Sequence, residues 1–383
     1  MAAHVQKRQL DMLHGSIWDK LPRFALPVAA TAILEQLFNA SDVAVVGNFT
    51  GAERTAAVAA VGANSPIIGL IVNLFIGIAL GTNVVIAHAI GHGDRETVTK
   101  AVHTFVLVSV LGGALVALLG ELAAAPLLGL LNVPEDVFPL ALLYGRLRRT
   151  TQEIRLEPKK LRIDPAILKR ILRIGLPAGI QSAVFALSNI VIQSAINSLG
   201  TVVMAASSAA FNIEIITYDI LNSFSQACTT FVGQNFGAGE LRRCKKTLAL
   251  CLIKGIITLA AAITVILFFG KSLLAIFNND PEVVATGYIR LVMVMLAHSF
   301  SLLYEIMSGY LRGFGISLVP ALLTMLGVCG IRIGWIQWVF PQSQTFRTIM
   351  TVYPISLSVT ALLIFAALVY YRPSRRFAAM GKR

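Results

Sequence analysis

The chain has 383 residues, 56% of them apolar and only 13% charged, whereas soluble domains carry about 25% charge. A mean hydropathy of +0.76, in runs near or above the roughly 20 residues that cross a bilayer, excludes a soluble globular protein and places the chain in a membrane. The net charge of +13 is not a nucleic-acid footprint: Lys and Arg gather in the short loops between apolar runs, where they set orientation.

Nine spans follow in chain order, near residues 24–46, 62–90, 101–130, 171–199, 202–234, 247–276, 287–312, 317–340 and 349–371. This predicts an all-α polytopic membrane protein. The polar N-terminus shows no short apolar core followed by a cleavage site, so no signal peptide is expected. The first span carries Glu35, Asn39 and Asp42, spaced i, i+4 and i+7, which puts them on one helical face. A charged side chain inside a span costs several kcal/mol, of order 3, unless it is paired or faces water. These three are therefore candidates for ion coupling, by taking up a proton or by giving oxygen ligands to Na⁺. For Glu35 a bond to a neighbouring helix is an equal alternative. Asn73 in the second span is a candidate substrate contact.

The stretch between the third and fourth spans is basic, from Arg146 to Arg170. Pro158 disfavours helix before it. Asp164-Pro165 then caps a helix, with proline at the first helical position. Its apolar stripe of Ile167, Leu168, Ile171 and Leu172 predicts a surface-lying helix that feeds the fourth span. That span offers Gln181, Ser182, Ser188, Asn189 and Gln193, which bind polar groups but do not titrate.

The fifth span is interrupted by Asn212, Glu214, Tyr218 and Asp219. Glu214 and Tyr218 share a face, and a carboxylate beside an aromatic ring suits an organic cation. Asp219 lies elsewhere on the helix, and a satisfied helix contact is the plainer reading for it. Glu305 is the only acid deep in the seventh span, with His298 seven residues before it on the same face. A substrate or proton role is expected for Glu305. No third ligand is apparent, so a metal is not expected. Arg332 in the eighth span is expected to pair with Glu305 or to reach the interface by snorkelling. The four cysteines show neither CxxC nor zinc spacing and are read as unpaired thiols; Cys244, in a basic run, is flagged as reactive. The glycine turns at 91–93 and 237–239 lack the lysine of a phosphate-binding loop. There is no HExxH, no G-x-S-x-G and no dinucleotide fingerprint, so an enzyme is not expected and no cofactor is implied.

The chain also repeats itself. Leu26-Pro27 with Asn39 twelve residues on is echoed by Leu176-Pro177 with Asn189. Gly91-His92-Gly93-Asp94 is echoed by Gly237-Ala238-Gly239-Glu240, and Pro134-Glu135 leading to Tyr144 by Pro281-Glu282 leading to Tyr288. Such repeats mark many secondary transporters. Three spans follow Tyr288, and none follows Tyr144 before the basic linker. The six later spans alternate cleanly between basic and non-basic loops. Three earlier spans would leave the chain on the wrong side of the membrane at the linker, and Val137–Tyr144 is too short to cross back. An internal loss of about three helices, roughly 70–80 residues, restores the parity. The organisation expected is a truncated N-terminal lobe at 1–145, a basic cytoplasmic linker at 146–165, a six-helix C-terminal lobe at 166–372, and a basic cytoplasmic tail at 373–383.

These segments resemble the multidrug and toxin extrusion (MATE) transporters. The residues that carry the likeness are Leu26-Pro27 through Asp42-Val43-Ala44-Val45-Val46-Gly47, Gly81-Thr82-Asn83 with Ala87 to Asp94, and Leu176-Pro177 to Ser182. Phe231 to Gly239 and Glu305 to Gly313 complete the set. The resemblance covers nearly all of 20–372 except the linker. It implies a two-lobed bundle of twelve helices around a central cavity, here with about nine. It also implies export of organic cations in exchange for H⁺ or Na⁺, and it aligns Asp42 with the family's first-helix coupling aspartate. Substrate contacts are then expected at Glu305, Glu214, Tyr218, Asn189, Gln181 and Asn73. The partners expected are a small organic cation, the lipid bilayer, and a partner or second copy covering the missing helices, with no nucleic acid. The location expected is the cell membrane, multi-pass, as in a bacterial inner membrane. Two other readings stay open: a membrane-embedded remnant without transport of its own, and a flippase for lipid-linked oligosaccharides.

Overall fold

The computed structural model describes residues 10–49, 75–127, 163–374 and Phe377. Among the described residues there are nine long helices and no strand. They are α1 (Ile17–Phe49), α2 (Phe75–His92), α3 (Arg95–Leu127), α4 (Pro165–Asn197), α5 (Thr201–Gly237), α6 (Leu241–Phe277) and α7 (Pro281–Gly313), followed by α8 and α9. Helix α8 is composite: an α-helical start at Leu318–Thr324, a π-helical turn at Met325–Gly330 and an α-helical end at Ile331–Trp338. Helix α9 is Phe346–Tyr371. Eight of them, α2 to α9, are long and apolar enough to cross a membrane. The all-α polytopic class holds; of the nine predicted spans the first is helical as α1 but is not among the eight helices long and apolar enough to cross. Asn73 and most of the basic linker lie outside the described residues.

One boundary differs from expectation. Asp164 caps α4 as its sequence predicts, accepting from the backbone N–H groups of Ala166 and Ile167 at 3.0 Å each. The amphipathic turn after it is not a separate surface helix. It continues without a break into the span, giving one helix of 33 residues, about 50 Å long. Ile167, Ile171 and Ile174 are buried against Val84, Val85 and Ala101 of α2 and α3, and that packing keeps the first two turns in line with the rest.

The core has two larger parts. Helix α5 lies at the centre of the first, packed against α6, α7 and the start of α1 through Leu221, Phe231, Leu291, Met295, Ile17 and Leu21. The second joins α4, α7, α8 and α9 through Ile192, Tyr304, Val328, Ile349 and Ile364. The outer face of α6 shows the opposite pattern: Ile257, Phe268, Phe269 and Ile276 are exposed, as a lipid-facing helix requires.

Lipid tails are as apolar as leucine, so helices in a bilayer associate through close fit and hydrogen bonds. Helix α2 follows this rule. A Cβ on its Gly77 would lie 2.6 Å from the Gly175 carbonyl oxygen of α4. Asn83 donates to Thr230 of α5 at 2.9 Å, and His88 donates from Nε2 to the Gly313 carbonyl at the end of α7 at 2.7 Å. The segment before α1 is pinned as well. Arg243 donates to the carbonyl of Gly15 at 3.1 Å, and Asn235 to that of Met12 at 3.1 Å.

The repeated glycine turns adopt the same backbone, with Gly93 at φ +72° and Gly239 at φ +78°, a region that glycine enters without strain. They differ in capping. The Asp94 carboxylate accepts from the Thr97 hydroxyl at 2.6 Å and from its N–H at 2.9 Å. Those bonds, the hydroxyl's first, hold Asp94 below the usual aspartate range. Glu240, one methylene longer, caps nothing with its side chain.

Candidate functional site

Three arginines reach the interior of α4, α5, α7, α8 and α9. Arg290 enters from α7, about 13 Å from the start of that helix at a rise of 1.5 Å per residue. Its Nε donates to Glu214 Oε2 at 3.1 Å, its Nη2 bonds the other carboxylate oxygen, and its Nη1 donates to Ser207 at 2.6 Å. The guanidinium also lies between the rings of Phe211 and Tyr353, at 5.6 and 5.8 Å from their centroids. A two-pronged pair of this kind is the strong form of the arginine–carboxylate bond.

Arg312, at the end of the same helix, donates to Glu305 Oε2 and to the Ser225 hydroxyl, each at 3.2 Å. Glu305 therefore pairs with Arg312, and the expected partner Arg332 is not joined to it. The reason is local: Arg312 is seven residues beyond Glu305, on the same face of the same helix. The contact between α5 and α7 is tight here. Ser225 donates to the Glu305 carbonyl at 2.8 Å and Thr229 to the Gly309 carbonyl at 3.1 Å.

Arg332 does not snorkel either. It is 4% exposed, on the turn that follows the π-helical segment of α8. Its Nη1 donates to Asn189 Oδ1 of α4 at 3.2 Å and its Nε to Ser356 of α9 at 3.4 Å. The guanidinium lies 4.4 Å from the Tyr353 ring centroid and 5.5 Å from that of Phe185. All of these partners are neutral. π-Helical turns occur often at functional sites.

Around these groups lie polar atoms with no partner. His298 is 7% exposed and neither ring nitrogen is bonded. Glu214, Arg290 and Arg332 are all within electrostatic reach of it, and the Tyr218 ring is 6.3 Å away. One carboxylate oxygen of Asp219 is buried and unbonded. Its charged neighbour is Glu35 of α1, which is exposed on that helix. Four acids have described side chains deep within the helices, and Glu35 and Asp219 are the two with no arginine partner among the described residues.

Asn189, Glu214, Tyr218 and Glu305 thus converge on one interior, joined by Arg290, Arg312, Arg332, His298 and Tyr353. Gln181 is buried in α4. Asn39 and Asp42 belong to the last turns of α1, where the helix is described and the side chains are not. The sequence reading missed Arg290 and Arg312. Both sit inside a long helix rather than in a loop, and that was the signal available. Cys244 is not a reactive surface thiol: it is fully buried, with Sγ 3.7 Å from the Val232 carbonyl.

The MatE family model matches the chain over residues 27–150 and again over 177–336, so both matches start at the prolines of the repeat. The probable multidrug resistance protein YoeA of Bacillus subtilis is 20% identical over an alignment of 441 residues that covers 93% of this chain and 94% of YoeA. That alignment is longer than the chain, so YoeA has residues without a counterpart here. The probable multidrug resistance protein NorM of Thermotoga maritima is 20% identical over 82% of this chain and 84% of its own. The crystal structure of MATE in complex with MaL6 superposes with a TM-score of 0.81 at 17% identity, covering 98% of this chain and 100% of that one.

Proposed function

The chain belongs to the MatE family of multidrug efflux transporters, and from that premise we propose that it exports organic cations in exchange for H⁺ or Na⁺. It is a multi-pass membrane protein. The observation that carries the finer reading is that Glu35 of α1 is the charged neighbour of Asp219 of α5, with no arginine paired to either among the described residues. Two such carboxylates hold a negative charge that a proton, Na⁺ or an organic cation neutralises. Asp42 and Asn39 are assigned the same role by their spacing in the sequence, and Asn73 stays a substrate candidate by sequence alone. Tyr218, Asn189 and Gln181 are assigned to the wall that meets the substrate. Glu214 and Glu305 belong to that wall as arginine-paired groups, which makes them neutral pairs toward a cation.

The repeat supports a first lobe shortened by about three helices between Tyr144 and the linker, and the long alignment with YoeA agrees with that. The same shortening favours a second reading, a remnant that does not transport alone and needs a second copy to cover the polar face of α1.

The test is ethidium accumulation in an efflux-deficient bacterium expressing the full chain. The chain is expected to lower accumulation, with Asp42→Asn and Glu35→Gln each returning it to the level of the empty vector. Unchanged accumulation at good membrane levels would establish the remnant. Efflux that survives both substitutions would remove the coupling role from α1.

A further inference from the structure

Helix α4 is longer than a bilayer core is thick, and the surplus lies at its start. Its outer stripe is Leu176, Ile180, Leu187 and Ile190, all exposed and all on one helical face. Arg173 continues that face one turn before Leu176, and Lys169 one turn before Arg173; both are exposed. From Arg173 to the helix end at Asn197 is about 36 Å at the rise of an α-helix, against about 30 Å for the hydrocarbon core. Arg173 and Lys169 therefore stand where the lipid headgroups begin. The surface is hollowed at the same place. Pro165, Leu168, Lys169, Leu172, Arg173 and Leu176 line an open groove of about 420 Å³. Neither cation is answered by an acid. Asp164 is engaged with Lys100 at 3.7 Å and with the start of its own helix, and among the described residues no ion pair reaches Lys169 or Arg173.

Two other surfaces each lack one of these parts. The groove on α9 is lined by Phe365, Val369 and Tyr370, but its one cation is Arg372, whose Nε donates to the Val369 carbonyl at 2.9 Å. On α6 the exposed apolar stripe runs from Ile253 to Ile276, about 35 Å, which already covers the core. The basic start of α6 at Arg242 to Lys246 is then about 10 Å further out, with no apolar floor beside it. Lys254, next to Ile253, is taken up by the Trp18 ring, 3.8 Å from its centroid. Only the start of α4 sets two free cations directly above an apolar groove at headgroup depth.

We propose that the start of α4 is a binding site for one anionic phospholipid of the phosphatidylglycerol class, in the leaflet that meets the basic linker. The phosphate sits between Lys169 and Arg173, and an acyl chain lies along Leu172, Leu176 and Ile180. Arginine suits a phosphate because its planar fork offers two parallel N–H groups, and lysine adds a point charge. Basic pockets at this depth attract anionic headgroups, and a zwitterionic lipid gains nothing from the same charges. On the opposite face of the same turns, Ile167, Ile171 and Ile174 pack against α2 and α3, so the lipid holds from outside the turns that those helices hold from inside. The site stands whether or not the chain exports organic cations.

The experiment places a bimane fluorophore on Leu176→Cys in the full chain; the four native thiols are buried and do not compete for the label. The labelled chain is put into phosphatidylcholine nanodiscs, and quenching is measured as chain-brominated phosphatidylglycerol, or chain-brominated phosphatidylcholine, replaces the host lipid. Each basic residue at the surface is worth about fivefold in affinity for an anionic lipid. The phosphatidylglycerol is therefore expected to reach half-quenching at a mole fraction about tenfold lower than the phosphatidylcholine. Lys169→Gln and Arg173→Gln, both at exposed positions, should each lower that preference about threefold, and the double change should bring the two lipids to parity. A label on Leu187→Cys, about 16 Å further along the same stripe, should be quenched equally by both. Equal quenching at Leu176→Cys overturns the site. So does a preference that survives the double change, which would place the lipid on other residues, and so does an equal preference at Leu187→Cys, which would show general enrichment around the chain. Loss of the preference on adding inorganic phosphate at constant ionic strength would give the groove to a soluble anion and would also overturn the proposal.

Discussion

The contact between α5 and α7 and the contact among α4, α8 and α9 both bury arginines, and they treat them in opposite ways. In the first, Arg290 and Arg312 each hold a carboxylate. Hydroxyls of Ser207 and Ser225 fill further donors, and glycine backbones close the gap. In the second, Arg332 has an amide, a hydroxyl and two aromatic rings. The helix that carries it leaves the α-helical path for one turn just before it. A buried charge with its partner built in fixes two helices together. A buried charge without one is held by neutral dipoles and ring faces alone. This separates the polar residues of the same lobe into fasteners and contacts, a division that composition alone does not give.

The largest effect is expected at the first contact. Glu214→Ala strands Arg290 in the interior, and breaking a buried pair by removing one partner costs about 3–5 kcal/mol. The detergent-solubilised variant should lose its monodisperse peak on heating well below the unmodified chain, and a second change, Arg290→Met, should recover part of the loss. A Glu214→Ala protein of undiminished thermal stability would return Glu214 to the substrate wall and dissolve the distinction. The next effect is steric. A Cβ on Gly309 would lie 2.6 Å from the Ser225 carbonyl oxygen, and backbone there has nowhere to move. Gly309→Ala is expected to cost about 1–3 kcal/mol. Gly327→Ala, in the other contact, meets first the Thr360 hydroxyl, which is a side-chain atom and can turn away by giving up its bond to the Ser356 carbonyl. Its cost should be smaller in the same heating assay, and equal losses would show that the two contacts are equally rigid.

Much of this was legible in the chain. Apolar runs gave nine helices in order, because a bilayer forces length and polarity on every span. The two Leu-Pro motifs marked the positions where both family matches begin. Asp164-Pro165 gave the start of α4, since a cap is a local matter of a few atoms. The fasteners were not legible. Glu214 and Arg290 are 76 residues apart, and no local pattern joins them. Glu305 and Arg312 could have been joined, because they sit two turns apart on one helix. The sequence instead offered Arg332 as the partner expected for Glu305. The error has a physical root: charge in a membrane protein is read first as topology, and an arginine at a helix end satisfies that reading whether or not its head turns inward.

The smallest effect expected is also the sharpest test of the division, because it converts one kind of contact into the other. Asn189 Oδ1 stands 3.2 Å from Arg332 Nη1, and aspartate has nearly the same shape as asparagine. Asn189→Asp would place a carboxylate where the neutral amide now sits and would turn Arg332 into a fastener like Arg290. A bond between two opposite charges is stronger than one from an arginine to a neutral amide, by about 1 kcal/mol, so the variant should withstand heating slightly better than the unmodified chain. An Asn189→Asp protein no more stable than the unmodified chain would mean that the neutral partners of Arg332 already answer its charge, and that the two contacts do not differ in kind.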